Sequence, residues 1–216
     1  ENPSFLAINK AGTRLYSVHG DRSEATAYTI DKASGKIAVL NRQSTGGYNV
    51  IHLDFDAGEK HLVVANYGTD TTAVLPIAAD GSLQPYTTLT TVTGTNGPHR
   101  REQNNIRPHH NPLDREGKHF FLPCKGGDVV ILEVEDPASI GPQVAARFGV
   151  RPLVQDGAVR VEIANGHRFV TENGGQRRRG SDSGVHIYRL AFGDRGVEHL
   201  DVRVLALGAS FGEDDR

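Results

Sequence analysis

Four stretches of this 216-residue chain repeat one plan, and the repetition restricts the fold more than any single motif. They are Phe5–Val18 (FLAINKAGTRLYSV), Ile51–Ala65 (IHLDFDAGEKHLVVA), His110–Pro123 (HNPLDREGKHFFLP) and Arg160–Thr171 (RVEIANGHRFVT). Each has a short alternating run, a glycine-containing turn, a basic residue and then an apolar run. Anchored on Arg14, Lys60, Lys118 and Arg168, the units recur at intervals of 46, 58 and 50 residues. A third alternating run follows in each: Ala25–Ile30, Thr72–Ile77, Val129–Val134 and Val185–Leu190. In three units a turn then precedes a fourth run. Asp31–Gly35 leads to IAVL, Asp80-Gly81 to a run from Leu83, and Gly193–Gly196 to Val197–Leu205, whereas the third unit shows no fourth run.

Runs of this kind with period-two alternation, cut by Asp/Gly turns, predict strands. Ile51, Leu53 and Phe55 alternate with His52 and Asp54; Val159, Val161 and Ile163 alternate with Arg160 and Glu162. Pro112 weakens the first strand of the third unit, because proline cannot donate to a ladder. No segment sustains helical spacing, so the chain is expected to be all-β. Four strands in about 45 residues is the arithmetic of a four-stranded antiparallel propeller blade. The expected organisation is one domain over 1–216, of about four to five blades, with repeat units near 2–45, 46–95, 105–145 and 155–205.

A four-stranded meander reverses at every turn. The loop entering strand one and the loop joining strands two and three therefore share a face, which gathers distant segments at one mouth of the central channel. Those segments are Thr45–Val50, Gly94–His110 and the ends of the second strands near His19, Asn66-Tyr67, Lys125 and Glu172-Asn173. Gly94–His110 (GTNGPHRREQNNIRPHH) is the most unusual, with His99, Arg100, Arg101, Arg107, His109 and His110 against one acid, Glu102. Arginine forks bind carboxylate or phosphate bidentately and histidine titrates near neutral pH, so such a loop at a mouth suits a small anionic substrate. The competing reading is a solvated basic loop.

The rest of the sequence mainly excludes. A net charge of −2 argues against nucleic acid or an acidic membrane surface as the main partner. No apolar run reaches the roughly 18 residues of a membrane-spanning helix. One cysteine, Cys124, forbids an internal disulfide and an all-cysteine cluster, and it reads as a packed strand-end thiol. His109 and His110 are adjacent, so in a strand they face opposite ways and do not share a metal ion; no metal or other cofactor is expected. Arg177–Arg179 read as an exposed hairpin loop, and Gly174-Gly175 opens no helix and cradles no phosphate. The start of the chain lacks a secretory signal, which leads to an expectation of cytoplasmic location. Oligomeric state has no signature in the sequence.

Several segments also resemble a known family. Asn2–Ala7, Val64-Ala65-Asn66-Tyr67-Gly68, Ala73–Ile77 with Asp80-Gly81, and Arg107–Pro112 are similar to the lactonase family of seven-bladed propellers, which includes propeller-type 6-phosphogluconolactonases and carboxymuconate cyclases. The resemblance covers about residues 2–135, and Leu207–Arg216 resembles the opening of a later blade, which implies a partial seven-bladed propeller. It implies metal-independent hydrolysis of a sugar lactone such as 6-phosphogluconolactone, or cycloisomerisation of a related acid, on a small anionic lactone or sugar acid. The family's His-x-His pattern falls on Arg107-Pro108-His109, with arginine first. Its Gly-Pro-x-His falls on Tyr48–Ile51 followed by His52, its Pro-Arg-His on Ala158–Arg160, and its Asn-Glu lies nearest Glu172-Asn173. The carry-over implies His109, Arg160 and Glu172 as catalytic residues and Arg100, Arg101, Arg107, His52, His110 and Asn66 as substrate-binding ones. The alternative is a non-catalytic propeller that binds a protein or a small anion at its mouth.

Overall fold

A computed structural model of the chain describes residues 2–94, 96, 104–114, 117–125, 128–133, 144–149, 158–164, 167–172, 185–193 and 196–205; beyond residue 125 it describes the backbone, and side chains only at Val130 and Leu132. Every regular element among these residues is a strand. In the first half these are β1 (Pro3–Ile8), β2 (Arg14–His19), β3 (Glu24–Ile30), β4 (Ile37–Ser44), β5 (Val50–Phe55), β6 (His61–Asn66), β7 (Thr71–Pro76) and β8 (Thr88–Thr91). The second half has β9 (His119–Pro123), β10 (Asp128–Glu133), β11 (Val144–Gly149), β12 (Ala158–Ala164), β13 (His167–Glu172), β14 (Val185–Gly193) and β15 (Gly196–Leu205). They form four antiparallel meanders in which each strand pairs with its neighbours in sequence: β1–β4, β5–β8, β9–β11 and β12–β15. The fold is all-β and propeller-type, as expected.

The repeated turn has a concrete cause. Asn9 Oδ1 accepts the backbone N–H of Thr13 and of Arg14, both at 2.9 Å. Asp56 Oδ1 accepts those of Lys60 and His61, both at 2.7 Å, and Asp114 Oδ1 accepts that of Lys118 at 2.8 Å. An Asn or Asp thus closes each turn from inside, which is what these side chains do well. Three positions later the backbone is left-handed, at Gly12 (φ 65°), Glu59 (φ 53°) and Gly117 (φ 72°). In the second unit the glycine sits one place early, at Gly58, and Glu59 adopts the strained conformation instead. Its carboxylate in turn accepts the Lys10 N–H at 2.8 Å, tying two neighbouring turns together.

Strands β6 and β7 are buried on both faces, which explains the unbroken apolar run Leu62–Ala65. Leu62, Val64, Ala73 and Leu75 pack with Tyr16, Val18, Ala25 and Ala27 of the first sheet. Val63 and Val74 pack the other way, with Phe120, Leu122, Cys124, Val130 and Leu132 of the third. Cys124 is buried in this second core, as a packed thiol should be. Polar ties reinforce the contact between the first two sheets. Tyr16 Oη donates to Gly81 O at 2.8 Å, and the Asn41 amide bonds both the N–H and the carbonyl of Leu83.

Two expectations need correction. The third unit does have a fourth strand, β11, paired with β10 from Asp128↔Gly149 to Leu132↔Val144. The second unit's fourth strand begins at Thr88, not at Leu83. Leu83 makes only an isolated bridge to Ile77, and Pro85, which has no N–H, separates it from the ladder. The first run of the third unit is weakened as anticipated: among the described residues it makes the isolated bridges Pro108↔Cys124 and Leu113↔Phe120 and no strand. Arg177–Arg179 and Leu207–Arg216 lie outside the described residues.

Candidate functional site

Each sheet opens in the same way. The opening residue of the first strand pairs with the last residue of the second: Pro3↔His19, Val50↔Asn66 and Ala158↔Glu172. A bulge follows in all three, after which the pairs are Phe5↔Val18, His52↔Ala65 and Arg160↔Thr171. In the third sheet the bridge Pro108↔Cys124 takes the opening place, so His110 is the counterpart of Phe5, His52 and Arg160. Backbone bonds latch the entering loops onto the second strands, from Gly20 to Asn2 O (3.0 Å), Tyr67 to Asn49 O (3.0 Å) and Lys125 to Arg107 O (2.9 Å). Bulges at such places commonly re-aim a side chain. Here they put Phe5, His52, His110 and Arg160 at one register position of four successive first strands.

Three of those side chains are described, and they touch. The Phe5 and His52 ring centroids lie 4.0 Å apart, and those of His52 and His110 lie 3.9 Å apart with the planes at 70°. His52 is buried, at 5% exposure, whereas His110 is half-buried. His52 Nδ1 lies 2.7 Å from Asn111 Oδ1, and Asn111 Nδ2 donates to Val63 O at 2.8 Å. Two residues further along β5, Asp54 Oδ2 accepts the Leu113 N–H at 3.1 Å and Oδ1 accepts that of Phe55 at 2.8 Å. Burial pushes the Asp54 carboxyl above its ordinary value, outweighing these two bonds.

A second cluster lies beside the row. Arg107 Nη1 donates to Tyr67 Oη at 3.0 Å and Nη2 to Asn104 Oδ1 at 2.9 Å, while the guanidinium carbon is 5.2 Å from the Tyr67 ring centre. The backbone of Arg107 is left-handed (φ 53°), and Asp70 Oδ1 accepts its N–H at 2.7 Å. The His109 ring meets the edge of Tyr67 with centroids 5.8 Å apart. His109 and His110 therefore face different neighbours, as adjacent strand residues do. Asn66 is fully buried; its Nδ2 donates to Thr45 O and to Thr71 Oγ1, both at 3.0 Å, and holds the entering loop. Gly47 lies so close that a Cβ there would come within 2.5 Å of the Asn66 amide. The Asn66 Oδ1 and the His19 Nδ1, both buried, lack hydrogen-bond partners among the described residues.

Of the residues singled out in the sequence, His52, His110, His109, Arg107 and Asn66 are thus placed with their side chains. Arg160 and Glu172 are placed by backbone register in the opening pairs of β12 with β13, Ala158↔Glu172 and Arg160↔Thr171. Arg100 and Arg101 lie outside the described residues. Tyr67, Asn111 and Asp54 were not singled out. Tyr67 follows Asn66 directly at the mouth, and Asp54 shares the period-two face of His52, so both had a signal. Asn111 lies inside the Arg107–Pro112 resemblance, but its partner is 59 residues away, so the contact with His52 had no signal.

Chemically the arrangement offers half-buried imidazoles beside a buried one and a guanidinium already oriented. Residues 1–147 match the family model described as "Lactonase, 7-bladed beta-propeller". The chain is 36% identical over 110 residues to a 6-phosphogluconolactonase of Bacillus subtilis (strain 168), across 50% of this chain and 30% of that protein. It is 29% identical over 136 residues to a 6-phosphogluconolactonase of Formosa agariphila, across 60% of this chain and 37% of that one. It therefore spans about a third of the length of the curated relatives it matches. The solved structure of a periplasmic gluconolactonase from Pseudomonas aeruginosa superposes with a TM-score of 0.77 at 20% identity, covering 96% of this chain and 58% of that one. At that identity the likeness speaks for the fold.

Proposed function

Because the chain belongs to the lactonase family of seven-bladed β-propellers, we propose that it hydrolyses a sugar lactone at the mouth lined by the first strands, with 6-phosphogluconolactone as the leading substrate. The observation that supports this reading most is the shared register position, which sets His52 against His110 and gives Arg160 the same place in the next sheet. The relatives named for 6-phosphogluconolactonase activity support the substrate class.

In such a hydrolysis water adds to the lactone carbonyl carbon, the carbonyl oxygen becomes an oxyanion, and the bond from that carbon to the ring oxygen then breaks. The water's proton is transferred to the departing ring oxygen, which becomes a hydroxyl, and the product is the open-chain acid. In our reading His109 takes the proton from water or polarises the carbonyl, Arg160 stabilises the oxyanion, and Glu172 serves as base or orients its neighbours. Arg100, Arg101 and Arg107 hold the phosphate or carboxylate of the ligand, with His52, His110 and Asn66 framing the mouth. One well-aimed oxyanion donor contributes about 2.7–4 kcal/mol, and a positioned general base about 100- to 10,000-fold in rate.

The test is continuous titration of the acid released from 6-phosphogluconolactone and from the unphosphorylated lactone, against a buffer blank. We expect turnover above the blank, and a loss of about 100-fold or more in kcat/KM for folded His109→Ala and Arg160→Ala. Variants that match the parent overturn the residue assignment. A parent rate equal to the blank overturns the enzyme and favours a propeller that only binds.

A further inference from the structure

Asn111 is buried, belongs to the proline-flanked first segment of the third sheet, and reaches back to the second sheet at two points. The orientation of its amide follows from chemistry. The Val63 carbonyl at 2.8 Å can only accept, so the group facing it is the NH2, and Asn111 Oδ1 faces His52 Nδ1 at 2.7 Å. The opposite orientation would set two carbonyl oxygens against each other at that distance. An amide oxygen cannot donate, so the short contact is a hydrogen bond only if the proton is on His52 Nδ1. The Asn111 backbone N–H is also directed at that nitrogen, at 3.3 Å, a hydrogen bond that would need a bare Nδ1; the two bonds compete, and the much shorter one at 2.7 Å sets the tautomer.

We propose that Asn111 is a positioning residue for the histidine pair at the mouth. It fixes His52 in the Nδ1–H form and leaves the lone pair on Nε2, across the ring from Asn111. His52 is wedged between Phe5 and His110 at ring separations of 4.0 and 3.9 Å, so a fixed His52 ring also fixes the face against which the half-buried His110 rests. The part concerning turnover rests on the lactonase reading; the protonation pattern does not.

The protonation pattern is read directly from the 15N shifts and long-range couplings of the His52 ring in labelled protein at a pH where the ring is neutral. The parent is expected to show a protonated Nδ1 and a bare Nε2. In Asn111→Ala the preference is lost, and in Asn111→Asp it is kept, because a protonated carboxyl in that place donates its O–H to Val63 O and its other oxygen still only accepts. A parent ring protonated on Nε2 overturns the proposal whether or not any variant folds, and so does an unchanged pattern in folded Asn111→Ala. In the titration assay, Asn111→Ala should lower kcat by about tenfold or more with less effect on KM, and Asn111→Asp should recover part of it. If the Nδ1–H form is found and the parent turns over no lactone, the lactonase reading fails while the role of Asn111 in holding His52 stands.

Discussion

The Asp114 carboxylate shows how much of this fold is decided by one side chain. Its Oδ1 closes a turn at the Lys118 N–H, and its Oδ2 lies 2.7 Å from the His119 ring. Burial works against ionisation of Asp114, but the His119 ring together with the N–H groups of Lys118 and His119 outweighs it and holds the carboxyl below the usual carboxylate range. A lowered native pKa means a stabilising contribution that is complete above the unfolded value, near 3.9, and lost as the pH falls through the native one. Asp114→Asn should therefore cost about 1–3 kcal/mol in urea unfolding at pH 7, with the gap to the parent closing on acidification. A gap that stays constant down to pH 2.5 or so would remove the charge from the explanation. The Asp at this position was legible in the sequence as part of a repeated turn. Its pairing with His119 was not, since His61 follows the equivalent Asp56 with a separation of 3.6 Å.

At the level of elements, the informative case is the first segment of the third sheet. Pro108 and Pro112 deprive it of ladder donors, and among the described residues it makes two isolated bridges, to Cys124 and to Phe120, and a few backbone bonds to β9. Side chains of the second sheet replace the missing bonds: Asn111 reaches Val63, and Asp54 accepts the Leu113 N–H. Because burial raises the native pKa of Asp54, ionisation is costlier in the folded chain than in the unfolded one. The parent should accordingly lose stability relative to Asp54→Asn as the pH rises from about 4 towards neutrality. A difference independent of pH would show that Asp54 acts here only as a hydrogen-bond acceptor. The weakening by Pro112 was readable in advance because it is a local property of one residue. β11 was missed because Val144, Ala146 and Phe148 alternate only weakly and follow a long Asp-, Pro- and Gly-containing sequence, Glu135–Gln143, in place of a tight Asp/Gly turn. β8 was placed too early because Leu83 is apolar for a different reason: it packs in the core shared with the first sheet.

At the scale of the whole molecule, the repeat becomes a site through register. A bulge at the same place in successive first strands turns residues about 50 positions apart into neighbours, and the His52–His110 contact is its visible product. Periodicity alone yielded the all-β class. It did not yield which histidine meets which, because that depends on a one-residue shift in pairing that flips a side chain to the other face. The mouth was drawn from the sequence around His109, whereas the register position common to the sheets is that of His110; His109 rests on Tyr67 instead. Both histidines remain within the proposed site, and a bound ligand distinguishes their parts. The measurement that tests the whole account most directly is a crystal structure of the chain with saturating 6-phosphogluconate, the product of the proposed hydrolysis. The account predicts the sugar acid at the mouth, within hydrogen-bond reach of His109 and His110 and of Arg160. Ligand bound anywhere else, or no ligand at that mouth, would contradict it.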